Sequence, residues 1–248
     1  MNRSVTSSLT PRAAAFIDSV SCLRPQLAVF DCDGTLWAGD SGEGFFDWEL
    51  KRGVVSDEIA RWARARYTDY KAGNVDEDTM CGEMVTMHRG LAETDLERVA
   101  AEFFEQTFLG NIFPEMWTLV KRLQESGCDV WAVSSTNEWV VRAGMKHFGI
   151  PASRVLAAAA QIENGEITDR LVRVPSGDGK RRAIQEVVGQ VPDAAFGNSR
   201  WDAEMLALAR HGFAVNPNAD LKKTAEERGW TVYWPEGAVA PRGIPGIA

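Results

Sequence analysis

The feature that most constrains this chain is the segment Asp31-Cys32-Asp33-Gly34-Thr35, which directly follows the apolar run Leu-Ala-Val-Phe at 27–30. Because side chains alternate faces along a strand, Asp31 and Asp33 are expected to point the same way where a buried strand ends. Ligands of open α/β sheets bind at this carboxyl edge. Two neighbouring carboxylates repel each other unless a cation neutralises them. The segment therefore predicts a divalent metal, or a carboxyl group held protonated as an acid.

Length, charge and cysteine content limit the class of protein. The 248 residues allow one domain with an insert, or two domains. A formal charge of −8 argues against nucleic acid as the main partner. No apolar run approaches the ~20 residues of a membrane span, and the four cysteines form no CxxC pair. We expect a cytoplasmic protein with reduced thiols, as a monomer or homodimer, with no membrane partner.

The order of predicted elements indicates an α/β fold. A strand at 27–31 is followed by a region with helical spacing, from Gly42 to about Gln106, in which Asp76 and Thr94 are the expected N-caps. After Pro114 strands and helices alternate, which predicts a parallel sheet covered on both faces.

Three further segments have expected structures. Asn164-Gly165 predicts a hairpin turn between strands at 155–162 and 167–174. Residues 1–20 are expected to be a loose arm or a short helix, and the tail from Pro235 is expected to be irregular.

Four polar clusters come directly after predicted strands or open predicted helices. They are Asp31/Asp33, Ser-Ser-Thr-Asn at 134–137, Gly-Asp-Gly-Lys at 177–180 and Gly-Asn-Ser-Arg-Trp-Asp at 197–202. Because parallel strands end at the same edge of a sheet, these clusters are expected to meet. Hydroxyls, helix N-terminal amides and a lysine suit a phosphate, and carboxylate and amide oxygens suit Mg²⁺. Each cluster alone is typical of a cap or a turn, but their joint occurrence favours a phosphate site.

The four clusters, in this order, resemble the motifs of the haloacid dehalogenase (HAD) superfamily, specifically its phosphoserine-phosphatase-like branch. The DxDGT motif lies at 31–35, a serine ends an apolar strand at Ser134, Lys180 lies at a helix start, and a GDxxxD-type motif lies at 197–202. The resemblance covers roughly 27–234.

The resemblance implies an α/β fold with a Rossmann-like parallel sheet as the HAD core, at 21–41 and 111–248, after the N-terminal arm at 1–20. It also implies a helical C1-type cap inserted after the first strand, at 42–110, which closes over the substrate.

The resemblance gives the acidic residues these roles. Asp31 would be the nucleophile that accepts the phosphoryl group as an aspartyl-phosphate, and Asp33 the general acid and then the base. Mg²⁺ would be held by the Asp31 carboxylate, the Asp33 backbone carbonyl and Asn198. Asp202 would orient groups around the metal or Lys180.

The remaining matching residues would bind the substrate. Ser134, Ser135 and Lys180 would hold the phosphoryl oxygens. Asp40 matches the acidic residue that phosphoserine phosphatases have some nine positions after the nucleophile. Met84 lies near the place where those enzymes have an arginine for the substrate carboxylate.

The predicted activity is Mg²⁺-dependent hydrolysis of a small phosphorylated metabolite, with a phosphoserine-like or phosphocholine-like substrate. Asp33 argues against a dehalogenase, because a halide leaving group needs no acid. A phosphotransferase or phosphomutase is an alternative, since both share the aspartyl-phosphate. Asn198, where the family usually has Asp, suggests as a further alternative a degenerate HAD-fold binding protein.

The tryptophans have two interpretations. They are packing anchors or, alternatively, part of an aromatic pocket for a cationic substrate. Those near motifs or in the expected cap are Trp37, Trp48, Trp62, Trp139 and Trp201.

Overall fold

The computed structural model describes residues 9–236. The first eight residues of the expected arm, and the expected irregular tail from residue 237, lie outside the described residues. The chain divides into two compact units. Within the described residues, the first unit holds 9–39, 110–131 and 191–236, and the second holds 40–109 and 132–190. The cap boundaries at 42–110 stay a prediction.

Seven strands and ten α-helices are found in the described residues. The strands are β1 (Leu27–Phe30), β2 (Asp129–Asn137), β3 (Val155–Glu163), β4 (Glu166–Arg173), β5 (Ala194–Gly197), β6 (His211–Val215) and β7 (Thr231–Tyr233). The helices are α1 (Pro11–Cys22), α2 (Ser41–Arg52), α3 (Asp57–Lys71), α4 (Glu77–Thr86), α5 (Glu93–Phe103), α6 (Pro114–Glu125), α7 (Glu138–Phe148), α8 (Asp178–Ala183), α9 (Ala203–Leu208) and α10 (Ala219–Arg228).

The first unit contains four strands that pair in parallel in the order β1, β5, β6 and β7. The first residue of β2 lies beside β1, because the Asp129 N–H donates to the Gln26 carbonyl at 2.8 Å. All four residues of β1 are buried, as expected for a strand covered on both faces. Helix α1 begins after Thr10, whose hydroxyl accepts from the Ala13 N–H.

The second unit contains β3, which pairs in parallel with β2 and antiparallel with β4. Asn164 and Gly165 join β3 to β4 with φ of 52° and 83°, the left-handed geometry that the Asn-Gly pair predicted. The helical region of this unit consists of α2, α3, α4 and α5. Between them is a buried pair: Nε2 of His88 lies 2.7 Å from a Glu49 carboxylate oxygen.

The fold confirms the predicted α/β class with mostly parallel strands, and Asp76 is the N-cap of α4. The prediction of Thr94 as a cap is wrong, because α5 begins at Glu93 after Ala92. Its first N–H, from Glu93, donates to the Gly165 carbonyl at 2.9 Å, so a distant hairpin supplies the bond that a capping side chain would otherwise make. Within residues 9–236, no helix combines the length and the apolar character needed to cross a membrane.

Candidate active site

The carboxyl ends of β1 and β5 place the first and fourth polar clusters side by side in the first unit. Phe30 pairs with Phe196, and the Asp31 N–H continues the ladder by donating to the Phe196 carbonyl at 2.9 Å. Asp31 is buried, and one of its carboxylate oxygens accepts from the Thr35 hydroxyl at 2.9 Å. The carboxylate therefore has a fixed direction at the end of the strand.

The turn after Asp31 orients the second carboxylate. Gly34 has φ of 74°, a left-handed conformation that favours glycine, and its N–H donates to the Trp37 carbonyl at 2.8 Å. The turn brings the Trp37 indole N–H to an Asp33 carboxylate oxygen at 2.7 Å. Asp33 is half-buried and Trp37 fully buried. Sequence reasoning did not assign Trp37 this contact, although its position four residues after Asp33 is the signal that was available.

Asn198 lies directly against this turn. A Cβ atom on Gly34 would be 1.9 Å from the Asn198 side-chain nitrogen, so only glycine leaves room for that amide. The Asn198 carbonyl accepts from the Asn218 N–H at 2.8 Å, and Asn216 donates its side-chain amide to the Gly34 carbonyl at 3.1 Å. The contact of Asn216 with the turn is a second feature that the motif analysis missed.

Asp202 holds the loop that carries Asn198. It is buried, and one oxygen accepts from the N–H groups of Asn198 and Ser199, both at 2.9 Å, and from the Ser199 hydroxyl at 3.2 Å. A Cβ on Gly197 would lie 2.4 Å from the Asp202 Cβ, so the carboxylate sits against the backbone at the end of β5. These contacts make Asp202 an anchor of the loop.

The donor atoms of this group fit Mg²⁺. Within residues 9–236, no three His, Cys, Asp or Glu side chains are placed to hold a metal ion. The set expected from the sequence needs only one carboxylate, that of Asp31, with the Asp33 backbone carbonyl and the Asn198 amide. Mg²⁺ prefers hard oxygen ligands and commonly keeps several waters, so a site with few side-chain carboxylates is suited to it.

The second unit brings the second and third clusters together. Lys180 is buried, and its ammonium group donates to the Val133 carbonyl at 3.0 Å, directly before Ser134. Ser134 is also buried, and its hydroxyl accepts from the Thr136 N–H at 3.2 Å. Gly179 allows the helix start to approach, because a Cβ there would lie 2.5 Å from the Val174 carbonyl oxygen.

The neighbours of Lys180 point elsewhere. Arg181 and Arg182 both pair with Asp178, at 2.7 Å and 3.0 Å, and Arg182 is exposed. The basic run therefore places one cation inward and two outward. Lys180 is therefore not an ordinary solvated residue of a helix start.

A small cavity, partly open to solvent, lies in the second unit, and its lining includes the residues directly after Ser134. One wall is formed by the last three residues of β2, and the others by α2, α3 and α4. The lining residues are Asp40, Gly42, Glu43, Tyr67, Tyr70, Lys71, Glu77, Met80, Cys81, Met84, Ser135, Thr136 and Asn137. The structure thus places Asp40 and Ser135, two of the expected substrate-binding residues, on one cavity. Asp40 is also the N-cap of α2 and accepts from the Glu43 N–H at 2.8 Å.

The aromatic rings of the cavity come from tyrosines. No tryptophan of the described chain is among the lining residues; Trp37 and Trp139 are buried, and Trp62 is exposed. Burial raises the pKa of Tyr67, and its hydrogen bond to Glu43 raises this pKa further. Burial raises the pKa of Tyr70 in the same way, together with its hydrogen bond to Glu77. Both phenols therefore stay protonated and donate to carboxylates, a role that the sequence analysis did not assign.

Comparisons with known proteins identify relatives of this chain. The chain is 27% identical over 217 residues to a histidinol-phosphatase of Neisseria meningitidis, covering 83% of this chain and 97% of the relative. Among solved structures, a protein of unknown function from Bordetella pertussis has a TM-score of 0.74 at 22% identity, covering 84% of this chain and 97% of that one.

A substrate-bound phosphoserine phosphatase has a TM-score of 0.54 at 16% identity, covering 84% of this chain and 92% of that one. These two structures share the fold. The model of the haloacid dehalogenase-like hydrolases matches residues 28–207, which include all four polar clusters. The chain belongs to the haloacid dehalogenase-like hydrolase family.

Proposed function

We propose that this protein is a Mg²⁺-dependent phosphomonoester hydrolase that acts on a small phosphorylated metabolite through an aspartyl-phosphate. The observation that carries the proposal is the different setting of the two carboxylates after β1. Asp31 is buried and fixed by Thr35, whereas Asp33 is half-buried and held by the Trp37 indole. A fixed carboxylate suits a nucleophile, and a more accessible one suits proton exchange with a leaving group and with water.

The reaction has two balanced steps. In the first, an Asp31 carboxylate oxygen bonds to phosphorus, the bond from phosphorus to the leaving oxygen breaks, and Asp33 gives its proton to that oxygen. In the second, Asp33 takes a proton from a water molecule while the water oxygen bonds to phosphorus. The acyl phosphate bond then breaks, inorganic phosphate leaves and the Asp31 carboxylate is restored.

The Mg²⁺ ion would be held by the Asp31 carboxylate, the Asp33 backbone carbonyl and the Asn198 side chain. When bound, it neutralises charge between the nucleophile and the phosphoryl oxygens. Asp202 supports Asn198 by accepting its N–H, and so positions that ligand without contacting substrate.

We assign phosphate binding to Ser134, Ser135 and Lys180. Phosphoryl transfer depends mostly on positioning and charge neutralisation, and a buried ammonium beside a hydroxyl supplies both. The bond from Lys180 to the Val133 carbonyl keeps the ammonium beside β2, at the residue directly before Ser134. The family membership and the phosphatase name of the Neisseria relative support this assignment.

Phosphotransfer is the second candidate, because an aspartyl-phosphate can pass its phosphoryl group to an alcohol as well as to water. The test is to hydrolyse p-nitrophenyl phosphate with Mg²⁺ and to measure p-nitrophenol and inorganic phosphate together, with and without added glycerol. Equal amounts in both conditions support the hydrolase. An excess of p-nitrophenol in glycerol indicates a transferase, and no turnover at all indicates a binding protein. The cytoplasmic location and the monomeric or homodimeric state stay predictions.

A further inference from the structure

A contact at the start of α2 joins the helical region of the second unit to the segment assigned to phosphate binding. Gly42, in the first turn of α2, is buried and lines the cavity together with Thr136. A Cβ on Gly42 would lie 2.8 Å from the Thr136 Oγ1 and 3.4 Å from its Cγ2. The shorter of these distances is strongly repulsive, so only glycine lets α2 begin directly against Thr136.

Thr136 in turn holds the hydroxyl group of Ser134. The Thr136 backbone N–H donates to the Ser134 Oγ at 3.2 Å, and Ser134 is buried. A serine hydroxyl has one proton to donate and lone pairs that accept. Because the oxygen accepts from Thr136, its proton remains to be donated, and a charged phosphoryl oxygen is a strong acceptor for it. The Thr136 N–H therefore restricts the directions in which the Ser134 proton can point.

We propose that Thr136 is a positioning residue through which the start of α2 directs the Ser134 hydroxyl toward the phosphoryl group. The inference rests on the proposed phosphatase activity and on the phosphate-binding role assigned to Ser134, and it adds the residues that orient this hydroxyl. Gly42 acts on Thr136 by leaving room for its side chain, and Thr136 acts on Ser134 through its N–H.

The lysine assigned to phosphate binding is held by a bond that does not involve α2. Its ammonium group, on Lys180, donates to the Val133 carbonyl at 3.0 Å, which joins α8 to β2. A change at Gly42 is therefore expected to displace the Ser134 hydroxyl and to leave the positive charge of the lysine in place. The expected effect is the loss of one hydrogen bond to phosphate rather than the loss of the phosphate site.

Gly44 provides a matched control on the same helix. A Cβ on Gly44 would lie 2.9 Å from the Phe108 ring, which is nearly the same crowding, but Gly44 is not among the described lining residues of the cavity. Gly44→Ala therefore reproduces the gain in helix propensity and the steric strain of Gly42→Ala without the contact with Thr136. A comparison of the two variants separates this contact from a general effect on α2.

The test measures the inhibition constant of inorganic phosphate against hydrolysis of p-nitrophenyl phosphate, with Mg²⁺ at one pH. Gly42→Ala is expected to raise this constant about 10-fold, the size of one lost hydrogen bond to a charged group, whereas Gly44→Ala is expected to change it less than about 2-fold. Equal effects of the two variants would overturn the inference. In that case turnover of p-nitrophenyl phosphate by the wild type would leave the proposed function standing.

A second comparison decides whether the effect depends on Ser134. The Cβ added on Gly42 would also lie 3.3 Å from an Asp40 carboxylate oxygen, so Thr136 is not its only neighbour. In a Ser134→Ala background, Gly42→Ala is expected to leave the inhibition constant unchanged, because the hydroxyl that it displaces is already gone. A further rise of about 10-fold in that background would show that the effect does not act through Ser134, and the inference would fail.

Thr136→Ala covers the case in which Gly42→Ala does not fold. This variant keeps the N–H donor but removes the two side-chain atoms that lie against Gly42, which loosens the contact between α2 and the segment after Ser134. The inhibition constant is expected to rise in the wild-type background and not in Ser134→Ala. A rise in both backgrounds, or in neither, contradicts the assignment. Absence of any p-nitrophenyl phosphate turnover in the wild type would instead refute the proposed function itself.

Discussion

Asn198 and Gly34 touch: the place that a Cβ would take on Gly34 lies 1.9 Å from the Asn198 side-chain nitrogen. The contact joins the turn after β1 to the loop after β5, because the two strands are parallel neighbours. The reaction proposed above depends on this contact, because it places Asn198 against the turn that carries Asp33.

Replacing Gly34 with alanine is therefore expected to impair activity more than stability. The left-handed φ of 74° costs about 1 kcal/mol for a residue with a Cβ, and the clash displaces Asn198 in addition. Gly53→Ala is the matched control, since Gly53 has φ of 68° but no atom within 4 Å of an added Cβ. We expect similar losses of unfolding free energy in urea, with kcat falling at least ~10-fold only in Gly34→Ala. Equal activity of the two variants would contradict the role of the contact.

Asn198→Asp is expected to strengthen Mg²⁺ binding several-fold. A carboxylate at this position adds one negative charge beside a divalent cation, and about 1.4 kcal/mol of added attraction is already tenfold in affinity. Repulsion among the carboxylates of the metal-free protein acts in the same direction. Titration of both proteins with Mg²⁺ by calorimetry at one pH and ionic strength measures the change. Unchanged or weaker affinity would mean that residue 198 is not a ligand.

Lys180→Met is expected to lower kcat/KM by at least ~100-fold, because it removes the positive charge assigned to the phosphoryl oxygens. Arg182→Met, on the same helix, removes an exposed cation that pairs with Asp178 and should retain activity. Steady-state kinetics with p-nitrophenyl phosphate compares the two. A comparable loss in both variants would indicate a general effect on α8 rather than a phosphate contact.

The buried pair of Glu49 and His88 is expected to make stability depend on pH. Burial alone would lower the pKa of His88, but the Glu49 carboxylate at 2.7 Å and the Val85 carbonyl raise it above its ordinary value. Since the folded pKa is raised, the stability contributed by the protonated ring is fully present below about pH 6.5 and is lost as pH rises through the folded pKa.

Urea unfolding at a series of pH values measures this effect. The difference in unfolding free energy between the wild type and His88→Gln is expected to shrink as pH rises above neutral. A constant difference across that range would show that the ring is neutral in the folded protein. Glu49→Ala, which leaves the partner buried alone, is expected to cost about 3 kcal/mol at neutral pH.

Local sequence signals were sufficient for the strand that ends directly before Asp31, the Asn164-Gly165 hairpin and the cap at Asp76, because each depends on residues adjacent in the chain. Contacts between distant segments were not predictable in this way. The start of α5 depends on a bond from Glu93 to Gly165, which no local pattern encodes.

The same limit applies to the candidate site. Motif order predicted the proximity of Ser134 and Lys180, but the inward direction of Lys180 depends on its bond to Val133. Tyr67 and Tyr70 have the spacing of an ordinary packed helix face. Their place in the cavity lining depends on contacts outside their own helix, including their hydrogen bonds to Glu43 and Glu77.

The most direct test of the central claim is to locate the phosphoryl group during turnover. The protein is mixed with substrate and Mg²⁺, quenched in acid within one turnover, digested and mapped by mass spectrometry. The account predicts phosphate on the peptide that contains Asp31, and neither phosphopeptide nor turnover in Asp31→Asn. Phosphate on another residue, or an Asp31→Asn variant that keeps most of its activity, would contradict it.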